Sequence, residues 1–145
     1  MYAELHALSN FSFLRGASQP EELVVQAKAL GYQALALTDE CSLAGVVRAN
    51  SAAKTAGLPL IIGTELNCAD ALKVVALATD RASYGAISRL ISKARRASVK
   101  GRYALKRADL EDALNGCLLL WLPNADKETL PQQEEAGRTG SRECA

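Results

Sequence analysis

Four side chains in this sequence have the chemistry of a metal site and fall at suggestive places: His6, Asp39, Glu40 and Glu65. His6 is the only histidine of the chain. An imidazole nitrogen combined with carboxylate oxygens suits Zn²⁺, Mn²⁺ or Fe²⁺. A metal held this way supports attack of water on a phosphoester. Each residue also has a plainer reading. His6 can be an ordinary hydrogen-bonded histidine near a strand end. Asp39 can help start the helix that follows it. Glu65 can be a solvated loop residue.

The metal reading rests on joint placement. Three apolar, strand-like runs, residues 2–8, 34–38 and 58–62, end next to these groups. In parallel α/β folds, ligands sit where strands reach their carboxyl ends. Helical patterns separate the runs. Residues 18–30 open with Ser18 and Glu21 in an S-x-x-E capping box and stop at Gly31. Further helices are expected over residues 43–56 and 80–96, and a shorter one around Leu110 to Leu114. Residues 73–78 and 117–122 read as further strands, the second buried, with Trp121 in the core. Strands alternating with helices predict β-α-β units and a mostly parallel α/β sheet.

Composition narrows the rest. The chain has 145 residues, 49% of them hydrophobic, and a net charge of +1. One domain is expected, with no global field drawing it to nucleic acid or lipid. Residues 1–124 carry the pattern. Residues 125–145 are polar and are expected to be disordered. The cysteines, Cys41, Cys68, Cys117 and Cys144, form no C-x-x-C pair, which argues against a zinc ribbon or redox motif. Scattered cysteines and no secretion signal or membrane span suggest the cytoplasm. The stretch "SKARRASVKGR" offers Arg95, Arg96 and Lys100 as weak contacts to DNA phosphates, against a solvated helix end.

Four collinear blocks, "ELHALSNFSFLRGASQPEELV", "GYQALALTDECSLAGVVRA", "GLPLIIGTEL" and "KVVALATDRASYGAISRLIS", resemble the N-terminal PHP domain (polymerase and histidinol phosphatase) of bacterial C-family DNA polymerases. They look most like the error-prone, damage-inducible relatives of the polymerase III alpha subunit. The resemblance covers residues 2 to 122 and implies a distorted (β/α)7 barrel with a metal cluster at its rim, here an incomplete barrel. It also implies that His6, Asp39 and Glu65, with Glu40, occupy ligand positions. The family's His-x-His motif reads His6-Ala7-Leu8, its Asp-His reads Asp39-Glu40, and Lys73 stands where a histidine often does. The site is therefore expected to be vestigial, with weak divalent metal binding or none.

For the full-length family the resemblance implies template-directed DNA synthesis from nucleoside triphosphates, with Mg²⁺ in a polymerase palm. DNA and replication or repair proteins would be the partners. This sequence contains no palm, and a truncated or frameshifted reading frame is the expectation. Half a barrel would expose a sheet edge prone to self-association. Two other functions are weighed beside the polymerase fragment: a free-standing metal-dependent phosphoesterase, and a non-catalytic module docking to a replication partner.

Overall fold

The computed structural model describes residues 2–123. Nine elements follow one another: β1 (Ala3–Ala7), α1 (Pro20–Ala29), β2 (Ala34–Leu37), α2 (Val46–Ala56), β3 (Leu60–Asn67), β4 (Lys73–Ala78), α3 (Arg81–Arg96), α4 (Arg107–Ala113) and β5 (Cys117–Leu122). They build one five-stranded sheet in sequence order. This is the incomplete α/β barrel that the sequence suggests, but its sheet is mixed. β1–β2 and β2–β3 pair in parallel, whereas β3–β4 and β4–β5 pair antiparallel. For β3–β4 the reason lies in connection length. A parallel pair needs a crossover of a dozen or more residues, and only five residues link β3 to β4.

Alternation along each strand divides the apolar residues. Leu35 and Leu37 meet Val24 and Ala27 of α1 and Val46, Ala49 and Ala53 of α2. Leu66, Val74 and Ala76 meet Ile87, Leu90 and Ala94 of α3 and Leu110 of α4. Between these positions, Ala36, Val75 and Leu77 point to the opposite, concave face, beside Ile61, Leu120 and Leu122.

Helix starts differ from the sequence expectation in detail. α1 is entered at Gln19, whose N–H donates to Glu22 Oε2 at 2.7 Å, so the acid partner is Glu22 and not Glu21. α2 begins only at Val46, with Gly45 at its cap. Asp39 therefore does not start that helix. Asp80 caps α3, accepting from Ser83 N at 2.7 Å.

The C-terminal strand corrects a second expectation. β5 pairs only with β4 among the described residues and is an edge. Leu118, Leu119 and Trp121 are 61%, 50% and 69% exposed, so Trp121 is not in the core. α4 is seven residues long, too short to cover the strand. The polar segment 125–145 lies outside the described residues.

Candidate functional site: an arginine-filled rim

The rim forms where β1, β2 and β3 reach their carboxyl ends. β1 carries a register shift between Glu4 and Ala7, which spans His6. Beyond Leu37 the β2–β3 pairing continues as a bridge between Glu40 and Glu65. Cys41 N donates to Glu65 O at 2.9 Å, and Glu65 N to Thr38 O at 3.1 Å. The bridge sets Glu40 and Glu65 side by side, an arrangement that like charges resist unless a cation joins them.

The cation is Arg15. Its Nη1 lies 2.6 Å from Glu65 Oε1 and 2.8 Å from Glu40 Oε2. Its Nη2 donates to Glu65 Oε2 at 3.1 Å. This two-point grip on Glu65 is the geometry that a planar guanidinium gives a carboxylate. His6 Nε2 completes the set, 2.9 Å from Glu65 Oε2. Asn67 Nδ2 donates to Glu40 Oε1 at 2.8 Å and to Glu65 Oε1 at 3.3 Å. Tyr103 Oη donates to Glu40 Oε1 at 2.8 Å. Burial works against the charge on Glu65, yet the bonds from His6 and Arg15 outweigh it and hold its carboxyl at about 2. Burial likewise opposes the charge on Glu40, and Arg15, Tyr103 and Asn67 keep it below the ordinary carboxylate range. The Arg15 guanidinium is pushed further up by Glu65.

Asp39 serves a different purpose. Its carboxylate is buried and turned toward the β1–α1 loop. Oδ1 accepts from Ser9 N and Ser12 Oγ, both at 2.7 Å, and Oδ2 accepts from Ser9 Oγ at 2.7 Å. Ser12 O in turn accepts from Arg15 N and Gly16 N at 2.9 and 3.0 Å. Leu14 turns the chain with φ 60°, just before Arg15. Gly16 then passes so close to the first turn of the loop that a Cβ there would lie 2.0 Å from Ser9 O. Asp39 thus shapes the loop that delivers Arg15 to Glu40 and Glu65.

The four proposed ligands therefore separate. His6, Glu40 and Glu65 converge around Arg15, while Asp39 faces the serines. Among the described residues, no three His, Cys, Asp or Glu side chains are arranged to hold a metal ion. Both oxygens of Glu65 and both of Glu40 are already bonded to side chains of the protein. The residues do not fit a divalent ion at this place. Sequence reasoning missed Arg15, because a lone arginine in a loop gives no periodic signal. A guanidinium after the first strand, with Glu40 after the second and Glu65 in the third, was the available clue.

The basic stretch is also divided. Arg95 Nη2 donates to Cys41 O at 3.0 Å, and its guanidinium sits 5.3 Å from the Tyr103 ring centroid. Arg95 is thus tied to the protein through its guanidinium, although the residue as a whole remains exposed. Arg96 and Lys100 are exposed. Cys41, buried beside the rim, has its thiol pushed up to about 11 by desolvation, which disfavours the thiolate.

The PHP domain family matches residues 4–128. The chain belongs to the PHP domain family. It is 61% identical over 127 residues to an error-prone DNA polymerase of Dechloromonas aromatica, which covers 84% of this chain and 12% of that relative. It is 58% identical over 132 residues to the error-prone DNA polymerase of Methylococcus capsulatus, covering 89% and 13%. The chain thus spans about an eighth of the length of these relatives. A solved structure described as a metal-dependent phosphoesterase of Bifidobacterium adolescentis matches with a TM-score of 0.57 and 31% identity, over 67% of this chain and 34% of that one. An amidohydrolase of Chromobacterium violaceum, solved with sulfate and no metal, matches with a TM-score of 0.57 and 29% identity, over the same shares. The description of the first of these neighbours connects this fold with a metal. Among the described residues, no helix is long and apolar enough to cross a membrane.

Proposed function

We propose that this chain is a non-catalytic PHP module at the N-terminal end of an error-prone DNA polymerase, where it braces the part that performs DNA synthesis. The polymerase would act on DNA in the cytoplasm with replication and repair proteins, and its Mg²⁺ would belong to a palm outside this sequence. The observation that carries the reading is Arg15 lying between Glu40 and Glu65. A phosphoesterase needs open coordination positions for its metal and water, and here a fixed cation holds those oxygens. The identity to error-prone polymerases supports the wider assignment.

Two experiments test it. The chain, assayed on a phosphomonoester with Mn²⁺ or Zn²⁺, should show no turnover above background, and His6→Ala should change nothing. Metal-dependent turnover that His6→Ala removes would favour the free phosphoesterase instead. In the second experiment, residues 2–123 replace the matching segment of the Dechloromonas aromatica relative. The chimera should extend a primer, whereas deleting the segment should leave an insoluble or inactive polymerase. Deletion without effect would refute the bracing role. Capture of a sliding clamp by the isolated chain would favour a separate docking role.

A further inference from the structure

We propose that the guanidinium of Arg15 is a tethered stand-in for a divalent cation, and that the β1, β2 and β3 ends depend on it for their arrangement as a metalloprotein's strand ends depend on a metal. The inference rests on the family reading above for the comparison with a metal, but its test does not involve polymerase or phosphoesterase activity. Three observations lead to it. Arg15 meets a carboxylate from beyond β2 and another from β3 with three contacts of 2.6 to 3.1 Å. His6 from β1 meets the same Glu65 from another side. The loop carrying Arg15 is built to deliver it, through the Asp39 bonds to Ser9 and Ser12, the left-handed turn at Leu14 and the tight passage at Gly16.

A cation that bridges side chains from several strand ends does what a structural metal does. It cancels like charges that the backbone forces together, and it links chain segments far apart in sequence. A guanidinium differs in being covalently part of the chain, so chelators cannot remove it. It also acts through a planar fork of N–H donors, which an ammonium lacks.

The test uses the full 145-residue chain and thermal melts. For the unsubstituted chain, EDTA, Mn²⁺ and Zn²⁺ should leave Tm unmoved, and equilibrium dialysis should find no bound metal at the rim. Arg15→Ala should lower Tm by about 5 °C or more. Arg15→Lys should recover only part of the loss. Millimolar methylguanidinium, which can enter the vacated place, should raise Tm of Arg15→Ala and leave the unsubstituted chain unchanged. If Arg15→Ala does not fold, Arg15→Lys and the metal titration of the unsubstituted chain still decide. The proposal is overturned if Arg15→Ala or Arg15→Lys melts like the unsubstituted chain. It is equally overturned if that chain takes up one equivalent of metal with a rise in Tm that His6→Ala abolishes, or if methylguanidinium does not discriminate between the two proteins. A failure here bears on the closed rim alone; the bracing role is decided separately, by the chimera.

Discussion

Arg15 and Glu65 are fifty residues apart and meet at two points, Nη1 to Oε1 at 2.6 Å and Nη2 to Oε2 at 3.1 Å. Glu65 is wholly buried, while Arg15 keeps part of its side chain in solvent. This asymmetry makes the carboxylate the vulnerable partner. Removing the cation leaves an uncompensated buried charge, which generally costs more than the pair itself contributes.

Acid sensitivity follows from the same pair. The Glu65 carboxyl sits at about 2 in the folded chain, against an ordinary 4.5. Between those values the unfolded state binds the extra proton, so stability rises with pH. The contribution is complete above about 4.5 and disappears as pH falls through about 2. The difference corresponds to roughly 3 kcal/mol at neutral pH. Urea melts at steps between pH 5 and 2.5 should show the decline. In Glu65→Gln the slope over that window should flatten, and an unchanged slope would assign the acid sensitivity elsewhere.

Asp39 should matter through the loop rather than through any metal. Asp39→Ala strands Ser9 N, Ser9 Oγ and Ser12 Oγ, three donors in a buried setting. The expected loss is about 3 kcal/mol, since each buried orphan costs about 1 kcal/mol or more. Limited proteolysis should then cut within residues 9–16 faster than in the unsubstituted chain. Resistance equal to that of the unsubstituted chain would mean that Asp39 does not order the loop.

The acidic pair Asp39-Glu40 was visible in the sequence, and so was its position at a strand end. Its division of labour was not. Successive strand residues face opposite ways, so adjacent carboxylates are bound to meet different neighbours. Which neighbours they meet depends on the path of the β1–α1 loop, set by Leu14 and Gly16. The same limit applies to the sheet. The five strands were legible as apolar runs, but the antiparallel turn of β4 depends on a short link. The apolar run "LLLWLP" resembles a buried strand, although its burial requires a neighbour that residues 2–123 do not provide.

Arg95 and its neighbours separate structure from nucleic-acid contact. Arg95→Ala loses bonds to Cys41 O and the stacking on Tyr103. It should lower stability by about 1 kcal/mol. Arg96→Ala with Lys100→Ala should stay within about 0.5 kcal/mol, as exposed changes generally do. If this helix end touches DNA at all, the double variant should reduce the salt dependence of binding by about two phosphate contacts. A double variant that destabilises the chain more than Arg95→Ala would reverse the assignment.

Trp121 gives the simplest check on the open edge, because it is the only tryptophan in the chain. Its exposure of 69% on β5 predicts red-shifted emission and ready quenching by iodide in the dilute chain. An exposed strand with apolar residues on both faces is a template for pairing with another strand. Raising the protein concentration should therefore shift the emission to the blue, as sedimentation detects dimers or larger species. Trp121→Lys should suppress that association and change monomer stability by less than about 0.5 kcal/mol, because the ring packs on little of its own chain. Emission that is blue at every concentration, in a species that sediments as a monomer, would place the ring inside the fold. The edge described by Leu118, Leu119 and Trp121 would then not exist in solution.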